Sequence, residues 1–343
     1  MAQHVNTLFV TTQGAYVARD HATLQVKLKG KAVLTVPLHH LEGVVCFGRV
    51  SVSPAVIACC GEQRLSLAFL SEQGRFHGRV ESPVHGNVLL RRTQYRQADD
   101  PTACLRVARP IIAAKIQNAR NTLLRAARDD AQPDDAAAIR TAATHMAAVL
   151  EQLSATGSLD AARGIEGETA RTYFSVFSML VRQDRETFAL QGRNRRPPRD
   201  PINALLSFTY GVLRHDCAGA LEAVGLDPAV GFLHADRPGR LSLALDLMEE
   251  FRTLLADRLV LTLINRRQVS ASGFSRDPAG AVSLDLETRR ILLRAYQERK
   301  REEVKHPLLD EPVTVGLLPH IQARLLARTL RGELPEYPAL VLR

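Results

Sequence analysis

Thr23-Leu-Gln-Val-Lys-Leu-Lys-Gly-Lys-Ala-Val-Leu-Thr-Val36 joins two runs of alternating, β-branched residues through a Lys-Gly tip. Period-two alternation around Lys27-Leu-Lys-Gly-Lys31 predicts a β-hairpin. The same signal surrounds it. Thr7–Thr11, Ala15–Ala18, Leu65–Leu70 and Gly74–Val80 read as short strands, with Gly14, Gly30 and Gly48 between them. Ser53-Pro54 places a cap before a proline at the first helical position, so one short helix interrupts the strands. From about residue 95 the period changes to that of helices, over Ala108–Arg128, Asp134–Leu153, Leu159–Val181 and Pro201–His215. Gly225 is the expected end of the following helix, with Pro228 beyond it. A long helix is expected from Ser242 to Ile264, a loop at 270–280, and helices over Leu286–Val304 and Leu317–Leu330. The expected class is α+β: a mainly antiparallel β domain over 1–88, a linker at 89–100 and a larger all-α catalytic domain over 101–343.

Composition narrows the class of function. The 343 residues carry 45 Lys plus Arg against 36 Asp plus Glu, a net charge of +9 that suits a polyanionic partner. No apolar run reaches the roughly 18 residues of a membrane span. Met1–Val5 lacks the features of a secretory signal, so a cytoplasmic protein is expected. The five cysteines, Cys46, Cys59, Cys60, Cys104 and Cys217, never form Cys-x-x-Cys, which argues against zinc ribbons and disulfide frameworks and for buried thiols. His39 and His40 read as structural or surface residues. Glu298–Lys305 mixes charge signs and reads as a solvated helix face.

Gly192-Arg-Asn-Arg-Arg-Pro-Pro-Arg199 puts Arg193, Arg195, Arg196 and Arg199 in a segment its prolines keep out of helix. Guanidinium groups there match phosphate geometry, and we expect DNA contact. A solvated loop or one end of a salt-bridge network is the competing reading.

Three further side chains lie where unpaired charge is costly. Glu166 sits between Gly164 and Gly167, His234 follows Gly231-Phe-Leu, and Glu249 stands among leucines in Leu245–Phe251. The glycines beside Glu166 point to close approach by another backbone or a substrate. Glu168, two residues on, faces elsewhere. Asp246 and Glu249 are three apart and share a helix face. Separately, each acid is explained by a salt bridge to Arg240 or Arg252. Jointly, carboxylates and an imidazole beside apolar helix suit Mg²⁺ or Mn²⁺.

Three blocks then resemble one family: Gly-Ile-Glu-Gly-x-x-Ala-x-x-x-Phe at 164–174, Asn-Arg-Arg-Pro-Pro-x-Asp-Pro-x-Asn-Ala-Leu-Leu-Ser-Phe at 194–208, and Gly-Phe-Leu-His followed by Gly-Arg-x-Ser-Leu-Ala-Leu-Asp-Leu-Met-Glu-Glu-Phe-Arg at 231–252. Together they resemble the CRISPR-associated integrase of spacer acquisition, the first-numbered Cas protein. Val36–Val45 resembles its β domain, and Leu261–Gln268 is similar to the subtype I-C branch. The resemblance implies dimerisation through the β domain and a metal held by Glu166, His234 and Glu249. Asp246 is then an additional catalytic acid, and Asp236 a minor participant. It implies 3′-hydroxyl attack on repeat phosphodiesters, with double-stranded and branched DNA as substrate. It also implies a small ferredoxin-like companion Cas protein bridging two homodimers. Two other classes fit the residues: a non-catalytic DNA-bridging protein, and a metal-dependent hydrolase of small phosphoesters.

Overall fold

The computed structural model describes residues 7–41, 43–63, 65–72, 76–80, 88–129, 132–190, 192–194 and 197–342. Its first part contains strands β1 (Thr7–Val10), β2 (Tyr16–Asp20), β3 (Thr23–Leu28), β4 (Lys31–Pro37), β5 (Gly43–Phe47) and β6 (Ser51–Val52). Helix α1 (Pro54–Gln63) and strands β7 (Ser66–Leu70) and β8 (Phe76–Val80) complete it. The expected hairpin is β3–β4, turning through Lys29 and Gly30, both at positive φ. Ser53 caps α1, its Oγ accepting from Val56 N at 3.3 Å, as the Ser-Pro pair predicts.

Two four-stranded sheets result, in the orders β4-β3-β2-β6 and β1-β5-β7-β8. Pairing is more mixed than expected. β4-β3, β3-β2 and β7-β8 are antiparallel, whereas β2-β6, β1-β5 and β5-β7 are parallel. Strand β5 explains this. All five of its residues are buried, the mark of a strand covered on both faces. Val44 and Cys46 join a core with Leu24, Val26 and Val56 between the sheets. Val45 and Phe47 join the helical core, where the Phe47 ring stacks on Phe208 with centroids 5.8 Å apart.

The rest is helical: α2 (Val88–Ala98), α3 (Pro101–Arg128), α4 (Pro133–Ala155), α5 (Leu159–Ser175), α6 (Pro201–Val224), α7 (Ser242–Met248), α8 (Arg258–Asn265), α9 (Leu286–Arg301) and α10 (Leu318–Leu330). This bears out the α+β class. Small antiparallel ribbons, β9 (Phe274–Arg276) with β10 (Val282–Leu284) and β11 (Glu303–Lys305) with β12 (Pro312–Thr314), interrupt the expected all-α character. The first of them lies where a loop was expected. The segment expected as a linker carries α2, and its buried Gln94 donates to the carbonyls of Asp227 and Val230, both at 2.8 Å. Asp200 caps α6, as read from sequence, and left-handed Gly225 (φ 88°) ends it; the two helices expected over 201–224 are one continuous helix. All five cysteines are free and buried. No helix of the described residues is long and apolar enough to cross a membrane.

The largest departure lies at 242–264. In place of one helix, α7 stops at Met248 and a π-helical turn spans Arg252–Asp257 before α8. From Ser242 to Asp257 every residue except Leu245 is buried. A segment packed on all sides has no polar face, so each charged residue in it needs a specific partner. The wider turn redistributes those side chains, as π-turns at functional sites do.

Candidate metal centre

Lys115 of α3 stands at the middle of the site. Its ammonium forms a short ion pair with Glu166 Oε1 from α5 and lies 2.7 Å from Glu249 Oε2, just after α7. Glu249 Oε1 is 2.9 Å from Arg252 Nη2 and 3.8 Å from His234 Nε2. Glu166 and Glu249, 83 residues apart in sequence, therefore meet at Lys115, with His234 beside Glu249. The ion-pair alternative for Glu249 is also present, through Arg252. Among the described residues no three His, Cys, Asp or Glu side chains close to metal-binding distances, and Lys115 Nζ stands between the two glutamates.

Asp246 does a different job from Glu249. Fully buried, its Oδ2 accepts from the backbone N–H of Phe232 (2.6 Å) and Leu233 (2.9 Å). Its Oδ1 accepts from His234 N (2.9 Å) and binds His234 Nδ1 (2.7 Å). An ionised carboxylate accepts only, so Nδ1 carries a proton toward Asp246 and Nε2 is the ring nitrogen on the Glu249 side. Gly231 makes room for this: a Cβ there would lie 2.8 Å from Ser242 Cβ and 2.9 Å from Asp246 Oδ2. Arg163 Nε fixes the same loop by donating to Leu233 O at 2.7 Å. Asp236 Oδ1 accepts from Gly231 N at 3.2 Å, which makes it a loop brace.

The electrostatics follow from burial and partners. Burial alone would raise the Glu249 carboxyl, but Arg252, Lys115 and His234 outweigh it and hold the pKa down at about 2. Glu249 is thus ionised at neutral pH. Arg252 is pinned between that carboxylate and the Tyr210 ring, its guanidinium carbon 4.9 Å from the ring centroid. Tyr210 in turn donates to Asp257 Oδ1, a buried acid raised by its burial to about 6. Glu250, next to Glu249, faces away. It accepts from Tyr337 Oη, Gln322 Nε2 and Leu340 N, tying the segment at 337–340 to the core.

Other expectations fare unevenly. A Cβ at Gly164 or Gly167 would meet nothing within 4 Å, so among the described residues no protein backbone makes the close approach expected there. Glu168 does face elsewhere, 2.9 Å from His145 Nε2 at the surface. Arg193 is turned inward: Nη1 donates to Asn194 O and Asn203 Oδ1, and Nη2 to Ser207 Oγ at 3.1 Å. Its guanidinium braces the start of α6, where we expected a DNA contact. Arg199 is exposed, and Arg195 and Arg196 lie outside the described residues. Lys300 corrects the reading of 298–305 as solvated, being buried 2.9 Å from Asp216 Oδ2.

Lys115 was missed by the sequence reading, though a signal existed. It lies within the apolar stripe of Ile111, Ile112, Ile116 and Ala119, where a lysine needs an acidic partner. A cleft of about 1050 Å³ borders the site, lined by Tyr210, Arg214, Met248, Arg252 and Arg289. A second, of about 950 Å³, runs beside His215, Lys300 and Arg324 and contains none of the site residues.

Comparison with known proteins agrees with this architecture. The family described as CRISPR associated protein Cas1 matches residues 8–298. The chain is 47% identical to a CRISPR-associated endonuclease Cas1 of Chlorobaculum tepidum, covering all of both chains. It is 49% identical to one from Rhodospirillum rubrum, covering 98% of each. Among solved structures, a CAS1 protein from Thermotoga maritima superposes with a TM-score of 0.82 at 23% identity, covering 95% of this chain and 97% of that one. A casposase bound to integration product gives 0.81 at 21% identity, with 99% and 94% covered. At those identities the structures speak for the fold.

Proposed function

The chain belongs to the CRISPR associated protein Cas1 family, and on that premise we propose that it is a metal-dependent DNA integrase and endonuclease. It inserts captured DNA fragments as new spacers into a CRISPR array, through attack of a fragment's 3′-hydroxyl on repeat phosphodiesters. The observation that carries this reading is the convergence of Glu166 and Glu249 on one cationic point beside His234.

The donor set fits a hard divalent cation, Mg²⁺ or Mn²⁺. Two carboxylates and one imidazole nitrogen are ligands of the right type, and buried Glu249 Oε2 has the Lys115 ammonium as its partner at 2.7 Å. Glu166, His234 Nε2 and Glu249 would hold the ion. When bound, it polarises the scissile phosphate and stabilises the charge that develops in the transition state. The protein's own groups prepare for this. Asp246 fixes the imidazole tautomer, and Arg252 holds the Glu249 carboxylate in place. Glu166 and His234, both partly exposed, face the side from which a phosphodiester can arrive.

Substrate and assembly belong to the same reading. The excess of basic residues and exposed Arg199 suit duplex and branched DNA bound through its backbone. A solved neighbour of this fold is a Cas6-RT-Cas1–Cas2 complex. This supports a companion Cas protein, which we take to be small and ferredoxin-like, bridging two homodimers. A half-site integration assay with Mn²⁺ tests the proposal. Glu166→Ala and His234→Ala should abolish strand transfer with the fold intact; wild-type transfer by Glu166→Ala would remove the site.

A further inference from the structure

Lys115 is the side chain on which both candidate ligand glutamates converge. We propose that it is an internal counter-cation that competes with the divalent ion for Glu166 and Glu249, holding the acid pair together before loading and setting the affinity of the site. The inference rests on the cation reading given above.

Two carboxylates from α5 and the end of α7, drawn to one point, repel each other unless a positive charge lies between them. The Lys115 ammonium supplies it, in contact with one oxygen of each. Its side chain is 14% exposed, so solvent screens the pair little. The two cations at the site differ in freedom. Arg252 is buried, fixed by Glu249 and stacked on Tyr210. Lys115 is a point charge on a flexible four-carbon stem, held among the described residues by the acids that a metal would take. A divalent ion engages both carboxylates and the imidazole, whereas the ammonium engages only the carboxylates. Loading therefore releases Lys115 from both acids. Effector and competitor are coupled through shared ligands, so removing one tightens the other.

The test uses the metal-free full-length chain and Mn²⁺ as probe. By isothermal titration calorimetry, Lys115→Met should bind Mn²⁺ about tenfold more tightly than wild type, within the usual range for coupled ligands. Its metal-free melting temperature should be lower, and the rise on adding Mn²⁺ larger. A lysine with a purely structural role predicts weaker Mn²⁺ binding in the variant. A second measurement needs no variant. Acetic anhydride labelling of wild type, read by mass spectrometry, should increase several-fold at Lys115 when Mn²⁺ saturates the site, with exposed Lys305 unchanged. Equal or weaker Mn²⁺ binding by Lys115→Met, or labelling of Lys115 that Mn²⁺ does not raise, overturns the inference and leaves the cation site standing. Wild-type protein that binds no Mn²⁺ removes both.

Discussion

Asp246→Asn changes one atom and should disorganise the site. The carboxylate accepts four N–H groups, two at each oxygen, at 2.6–2.9 Å. Asparagine offers one carbonyl oxygen and one NH₂. With the amide oxygen turned toward His234, the N–H groups of Phe232 and Leu233 both lose their acceptor and face another donor. Hydrogen bonds to a charged group contribute about 1.5–3 kcal/mol each, so the expected loss of unfolding free energy is about 3–6 kcal/mol. In one orientation the NH₂ meets His234 Nδ1, which must then accept, moving the ring proton to Nε2. That tautomer cannot offer Nε2 as a ligand. Urea unfolding gives the stability, calorimetry the Mn²⁺ affinity, and ¹⁵N spectra of labelled histidine the tautomer. A variant with wild-type unfolding midpoint and unchanged Mn²⁺ affinity would refute the reasoning, because it would show that the carboxylate does not hold the 231–234 loop.

Three other outcomes are expected. Arg252→Met leaves buried Glu249 without its closest cation apart from Lys115; the loss should be about 3–5 kcal/mol in urea unfolding, and a loss below about 1 kcal/mol contradicts it. Glu250→Gln should flatten the pH dependence of stability. Burial holds the Glu250 carboxyl up at about 7 against 4.5 for an ordinary glutamate. The native state therefore binds the extra proton, and stability from this group is full below 4.5 and declines by about 3 kcal/mol as pH rises through 7. His215, pushed down by burial to about 4, slopes the other way, but it is common to both proteins. Identical slopes in the two proteins would contradict the assignment. Finally, Arg199→Ala should lower the salt dependence of DNA binding by about one phosphate contact, whereas Arg193→Ala should lower thermal stability. Equal effects on the salt slope would show that Arg193 also faces DNA.

Local signals were legible because local physics fixes them. Ser53-Pro54, Asp200-Pro201 and Gly225 marked real helix ends, and Lys29-Gly30 marked a real hairpin. The parallel pairing of β5 with β1 and β7 was not legible, since partners distant in sequence leave no periodic trace. The π-turn was hidden because Arg252, Leu254, Leu255 and Ala256 are good helix formers and apolar periodicity runs through it. At the site, Glu166, His234 and Glu249 stood out as misplaced polar residues, and the structure brings them together. Their division of labour with Asp246 needed coordinates: i, i+3 spacing puts two acids on one face without showing that one is filled by backbone donors. Arg193 misled for the opposite reason, since a basic loop in sequence carries no sign of which arginine turns inward.

The central claim is that Glu166, Glu249 and the Nε2 of His234 hold one divalent ion. Pulsed electron paramagnetic resonance of the Mn²⁺-loaded chain tests it most directly. The account predicts a directly coordinated ¹⁴N coupling in wild type that disappears in His234→Gln while Mn²⁺ is still bound. Bound Mn²⁺ with no nitrogen coupling in wild type, or the same coupling in both proteins, would contradict it.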